Sequence, residues 1–119
     1  MEIEPAHVLH VATGGDEAFS FLRGNGLPAA VPSPDLIFLD LNLPGTDGRV
    51  LLAEIKSNVR FRIIPVIVLT ASELSDDVRR AYDLFANCYL RKPLDLTSYL
   101  DALRTCVGFW STTVRLPTA

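Results

Sequence analysis

Apolar residues fall into short runs separated by turn-forming clusters. Residues 7–12 (HVLHVA) form one such run and end at Thr13-Gly14-Gly15, which predicts a strand and a turn. Asp16 stands where a helix cap would, and Ala18, Phe19 and Leu22 share one helical face until Gly24-Asn25-Gly26. After a loop bearing Pro28, Pro32 and Pro34, the run from Asp35 to Leu41 does not alternate. That predicts a strand covered on both faces, as in a parallel sheet between helix layers. Pro44-Gly45 predicts a turn, and Asp47 is placed to cap a helix with Val50, Leu51, Leu52 and Ile55 inward.

The unit then repeats. Residues 65–70 (PVIVLT) predict a buried strand, and residues 75–85 a capped amphipathic helix with Val78, Ala81, Tyr82 and Phe85 inward. Cys88-Tyr89-Leu90 predicts a short strand, with Cys88 a small buried hydrophobe. Residues 96–109 predict a last helix resting on Leu96, Tyr99, Leu100, Leu103 and Val107. Strand and helix alternate four times, which argues an α/β fold with right-handed crossovers and a parallel sheet. In such sheets functional groups gather at the carboxyl ends of the strands.

Length and composition narrow the class. The 119 residues suit one domain with a core of its own, and 49% apolar with 21% charged residues excludes disorder or a fibrous repeat. Fourteen acids against eleven bases leave a net charge of −3, the wrong sign for a non-specific nucleic-acid binder. Two cysteines without CxxC spacing give neither a disulfide framework nor a structural zinc site. No apolar run approaches the ~20 residues of a membrane span, and MEIEPAHVLH lacks the regions of a secretion signal. The expectation is a small soluble cytoplasmic domain whose partners include neither nucleic acid nor membrane.

Three predicted strand ends carry Asp40, Thr70 and, just beyond the third, Lys92. A carboxylate, a hydroxyl and an ammonium converging at one sheet edge suit an acyl-phosphate site. The carboxylate takes the phosphoryl group, the hydroxyl bonds one phosphate oxygen, and the ammonium neutralises another. Each residue alone also fits an ordinary role: a turn aspartate, a satisfied hydroxyl, a solvated lysine. The ordered set is far rarer than any member.

The segments 35–48 (DLIFLDLNLPGTDG), 65–72 (PVIVLTAS) and 89–93 (YLRKP) resemble the signature segments of the response-regulator receiver domain, and the likeness runs from residue 7 to about 109. It implies a flavodoxin-like, doubly wound parallel sheet whose aspartate takes a phosphoryl group from a histidine kinase. Residue by residue, Asp40 falls on the phosphoacceptor and Asn42 on the position whose carbonyl binds Mg²⁺, so Asp40 and Asn42 are the implied metal ligands. Thr70 falls on the switch hydroxyl, Tyr89 on the switch aromatic and Lys92 on the phosphate-binding lysine. Pro93 falls on the proline after a usually cis bond. Tyr89 also fits half-buried packing with its hydroxyl in water.

The sequence departs from the family at its start. Only Met1 to Ala6 precede the 7–12 run, and Glu2 and Glu4 are neither adjacent nor preceded by an apolar strand. The family's first strand, its acidic pair and its first helix therefore have no counterpart. Hard divalent ions want several oxygen ligands, so Mg²⁺ binding is expected to be weak or absent. The missing strand is the central one, whose loss leaves backbone donors and acceptors unpaired. Either the gene product begins upstream, or this is a degenerate receiver that keeps an interaction face.

The expected organisation is a receiver over residues 1–109 without its first strand and helix, then a 110–119 tail. Phe109 and Trp110 beside an extended stretch fit a dimerisation arm or a domain cover. Single-domain receivers that partner phytochrome-type kinases look similar here, which implies such a kinase as donor and a homodimer through the 75–109 face and tail. His7 and His10 have no acidic or thiolate companion and read as surface residues. The leading function is a non-enzymatic phosphorelay module that signals by protein contact, with a phosphorylation-independent interaction domain as the alternative. A haloacid-dehalogenase-like phosphatase is remote: it needs an acid/base Asp where Asn42 stands.

Overall fold

The computed structural model describes residues 11–12, 14–23, 34–41, 47–71 and 74–117. Three apolar runs become parallel strands β1 (Ile37–Asp40), β2 (Val66–Thr70) and β3 (Cys88–Arg91), hydrogen-bonded in that order. Helices α1 (Gly15–Leu22), α2 (Gly48–Ser57), α3 (Ser75–Asp83) and α4 (Leu96–Gly108) alternate with them, and a π-helical turn, Phe109–Thr113, follows α4. No helix among the described residues is long and apolar enough to cross a membrane. Of the first predicted strand only Val11 and Ala12 are described, without regular structure; His7, His10 and the 24–26 stop lie outside the described residues.

The register pairs Ile37 with Val66, Leu39 with Val68 and Val68 with Tyr89. Paired residues share a face and successive residues alternate. One face therefore carries Ile37, Leu39, Val66, Val68 and Tyr89. Over it lie Phe19 and Leu22 of α1, Leu51, Leu52 and Ile55 of α2, Phe61 and Ile64 of the following turn, and Ala81 of α3. Phe19 meets Phe61 at 6.5 Å between ring centroids, and Arg23 and Arg60 lie over the two rings at 5.1 and 5.4 Å. The other face carries Ile67 and Leu69, buried outside that cluster together with Val107 of α4.

At the amino ends of the strands Lys56 donates to the carbonyls of Arg62 (3.1 Å) and Ile64 (2.9 Å) and to Asn87 Oδ1 (2.9 Å). The same Oδ1 accepts from Val66 N–H at 2.9 Å, and Asn87 N–H donates to the Val66 carbonyl. Asn87 thus extends the β2–β3 ladder by one rung. Burial pushes the Lys56 ammonium below its ordinary pKa.

Several expectations need correction. Helix α1 has Gly14 at its cap position, with Asp16 inside its first turn, and α3 has Leu74 there, with no side-chain cap. Asp47 does cap α2, accepting from Arg49 N–H at 2.9 Å. Val50 and Leu96 point to solvent. Strand β1 is not buried on both faces, since only Leu39 is fully covered. Cys88 is half-buried. The stretch after Gly108 is helical as far as Thr113, not extended.

The end of α3 is the most informative correction. The helix stops at Asp83, and Phe85 takes φ of 69°. Ala86 N–H bonds back to the Ala81 carbonyl (3.0 Å) and Phe85 N–H to that of Tyr82 (2.9 Å). This is a Schellman closure with phenylalanine where glycine is usual. Buried Ala81 and Ala86 set the contact with the core, so Tyr82 and Phe85 face outward, Phe85 being 72% exposed.

Candidate functional site

Asp40 ends β1, Thr70 ends β2, and Lys92 follows β3. The ladder runs one residue past each outer strand: Leu41 N–H donates to the Leu69 carbonyl (3.1 Å), and Lys92 N–H to the Thr70 carbonyl (2.7 Å). These two bonds fix where Asp40 and Lys92 leave the sheet. Lys92 Nζ then reaches across the edge and donates to Asp40 Oδ2 in a partly buried ion pair, the side chains 24% and 31% exposed. Such a pair is less screened than a surface one.

Thr70 is 3% exposed and lies at the same edge, on the face opposite to Asp40 by strand alternation. Tyr89 is half-buried on that Thr70 face, opposite Val68 and against the core cluster. The structure thus brings Asp40, Thr70 and Lys92 to one edge, with Tyr89 beneath Thr70. Asn42 lies outside the described residues.

One expectation about Lys92 is wrong. No peptide bond among the described residues is cis, so Lys92–Pro93 is trans. The trans form is the intrinsically favoured one even for proline, by roughly 0.5–1 kcal/mol, and Lys92 meets Asp40 from it.

A residue that sequence reasoning missed is Gly48. A Cβ there would stand 2.5 Å from Leu41 Cα and 3.0 Å from the Asp40 carbonyl oxygen. The start of α2 therefore sits directly on the chain as it leaves Asp40, and any side chain would displace that backbone. The available signal was a glycine immediately after the capping Asp47, in a helix whose dihedrals do not demand one.

Asp40 and Asn42 are the residues implied as ligands of a hard divalent ion, and Asn42 lies outside the described residues. Among the described residues no three His, Cys, Asp or Glu side chains cluster as ligands, and the Asp40 carboxylate is already engaged by Lys92. Such ions take six or more oxygens.

The chain is similar to known proteins in sequence and in fold. The family model of the response regulator receiver domain matches residues 2–104. Response regulator Rcp1 of Synechocystis sp. is 45% identical over 113 residues, covering 95% of this chain and 77% of that protein. The solved structure of the phosphorylated cyanobacterial phytochrome response regulator RcpA is similar with a TM-score of 0.82 and 44% identity, over 90% of this chain and 76% of that one. The Mn(2+)-bound form of Rcp1 gives 0.77 and 46%, over 87% and 75%. These likenesses bear out the α/β, flavodoxin-like receiver fold. With a family match over most of its length, this chain belongs to the response regulator receiver domain family.

Proposed function

We propose that Asp40 accepts a phosphoryl group from a sensor histidine kinase and that the chain signals through protein contact. The observation that carries this reading is the Lys92–Asp40 ion pair at the carboxyl edge of the sheet, beside Thr70. An Asp40 carboxylate oxygen attacks phosphorus, the P–N bond of phosphohistidine breaks, and its electron pair returns to the imidazole, which takes a proton. Lys92 shifts from the carboxylate to a phosphoryl oxygen, and the Thr70 hydroxyl turns to donate to another. Movement of Thr70 frees space on the Tyr89 face, and the ring of Tyr89 follows inward.

The likeness to phytochrome response regulators supports a phytochrome-type kinase as donor. The Mn(2+)-bound relative supports a divalent ion, with Asp40 and Asn42 as its ligands in this chain. One engaged carboxylate supports only weak affinity for Mg²⁺. Contact runs through α3, β3, α4 and the tail from Trp110, as a homodimer. In support, Tyr82, Phe85, Leu96 and Phe109 are exposed there, and Phe109 meets Trp110 edge-on at 6.2 Å. Apolar groups left in water at this density mark an association surface.

The test is incubation with acetyl phosphate and Mg²⁺, borohydride trapping and peptide mapping. Label at Asp40 at low stoichiometry is expected. Label retained in Asp40→Ala would overturn the assignment. No label, with dimerisation unchanged, would favour the phosphorylation-independent interaction domain.

A further inference from the structure

The two ends of the sheet carry different chemistry. Asp40, Thr70 and Lys92 stand at the carboxyl ends of the strands, while the turn from Asn58 to Ile64 packs at the amino ends, just before β2. Within that turn Phe61 and Ile64 are buried, and Val59, Arg60, Arg62 and Ile63 face solvent. Val59 is 74% exposed and Ile63 50%. The backbone of the turn is fixed: Arg60 N–H donates to Asn58 Oδ1 (2.8 Å), Arg62 N–H to the Asn58 carbonyl (2.9 Å) and Ile64 N–H to that of Phe61 (3.0 Å). Lys56 Nζ clamps the Arg62 and Ile64 carbonyls. A segment restrained in this way loses little further entropy on binding.

A third arginine joins the turn from the end of α1. Arg23, also exposed, lies over the Phe19 ring and Arg60 over the Phe61 ring, and the centroids of those two rings are 6.5 Å apart. The ring pair therefore brings the two guanidiniums to one surface. Contact with a ring uses no hydrogen-bond acceptor, so each guanidinium keeps its donor fork for a carboxylate. Among the described residues none of Arg23, Arg60 and Arg62 is paired with a carboxylate. From Gly48 to Ser72 the chain carries Arg49, Lys56, Arg60 and Arg62 against the single acid Glu54, in a protein whose net charge is −3.

We propose that this turn, with Arg23, is a docking surface for an acidic segment of a protein partner, in which aspartate or glutamate is interspersed with aliphatic side chains. The carboxylates fit the three guanidiniums, and the aliphatic groups cover Val59 and Ile63, which otherwise stay in water. Arginine is enriched at protein–protein interfaces. A nucleic acid is a poorer match: its phosphates leave Val59 and Ile63 bare, and a net charge of −3 repels a long polyanion. Because the surface lies at the end of the sheet opposite Asp40, a partner held there leaves the acceptor edge open.

Fluorescence anisotropy of the full chain with a fluorescein-labelled peptide of glutamate, aspartate and leucine tests this. Poly-glutamate of equal length, single-stranded DNA and phosphatidylserine vesicles are measured in parallel. Saturable, salt-sensitive binding of the mixed peptide is expected, tighter than that of poly-glutamate. Arg62→Glu should weaken it about tenfold and Val59→Ser severalfold, with melting unchanged because both side chains are exposed. Arg23→Glu, on a separate element, is the second charge variant should Arg62→Glu melt early, and the same loss is expected of it. Absence of saturable binding, or undiminished binding in the charge variants, would overturn the proposal. So would DNA or vesicles binding as tightly as the mixed peptide. Self-association abolished by Arg62→Glu would also overturn it, because the turn would then belong to a second copy of this chain.

Discussion

The two faces of the one sheet are not equivalent. The first carries α1, α2 and α3, and Leu52, Val66 and Val68 have no exposed surface there. The second carries Ile67 and Leu69, and α4 buries Val107 alone, at 7% exposure. Strand β1 displays the contrast within four residues: Leu39 is buried toward the first face, while Phe38 and Asp40 toward the second are half-covered. The first face packs Tyr89 against the core, with Thr70 buried beside it at the edge. The second carries the Asp40 carboxylate proposed as the acceptor, with Lys92 paired to it. Low local stability at working elements is a general requirement of such sites.

Removing bulk from each face gives the largest expected difference. Leu52→Ala opens a cavity among α2, β1 and β2 and should cost about 2–5 kcal/mol. Val107→Ala removes less volume from a layer that can close over the gap, and should cost about 1 kcal/mol or less. Urea denaturation of both variants, with unchanged slopes, checks this. Equal losses would break the comparison, because they would mean that α4 is seated as firmly as α2.

This asymmetry also explains what could be read from the sequence. The strands, their parallel order and the edge bearing Asp40, Thr70 and Lys92 follow from unalternating runs and from which residue ends each run. The sidedness does not, because a run such as Ile37-Phe38-Leu39 looks alike whether one layer or two cover it. Tyr82 and Phe85 have the spacing of inward residues, yet α3 buries Ala81 in place of Tyr82 and the Schellman closure turns Phe85 outward. Gly48 was invisible because its role is a close approach between segments, Leu41 against α2, which no local pattern encodes.

Gly48→Ala should have the next largest effect, about 1–3 kcal/mol as for an overpacked contact. Its second consequence sharpens the comparison. The new methyl presses on Leu41 and the Asp40 carbonyl, so α2 should push the Asp40 carboxylate off Lys92. Trapped label at Asp40 should fall in parallel with stability. Unchanged labelling would show that the acceptor end is decoupled from α2.

Phe85→Gly should move stability the other way. A non-glycine residue in the left-handed region costs roughly 1–2 kcal/mol, and the exposed ring returns little packing within the monomer. A gain of about 1 kcal/mol is expected in dilute protein, together with weaker self-association by sedimentation. Lower stability without concentration dependence would place the ring in the fold and not on an association surface.

The smallest expected effect concerns how α4 is held. Asp95 Oδ2 accepts from Ser98 N–H at 2.8 Å and caps the helix. The backbone N–H of Ser98, first, and its side chain hold the Asp95 carboxyl below its ordinary value of 3.8. A carboxyl depressed in the folded state contributes stability that is present above its unfolded pKa and lost as pH falls through the folded one. The loss therefore belongs below pH 3.8, and stability near neutral pH should not depend on it. Asp95→Asn keeps an acceptor and removes the titration, so it should flatten this part of the acid limb while leaving the helix capped. Asp95→Ala removes both. With one buried anchor far along the helix at Val107, an uncapped first turn has little else to restrain it. Amide exchange at residues 97–101 should then accelerate in Asp95→Ala at pH 7, while the amides of β2 stay protected. Unchanged exchange in that first turn would show that packing and not the cap holds α4, and the second face would then be firmer than its burial indicates.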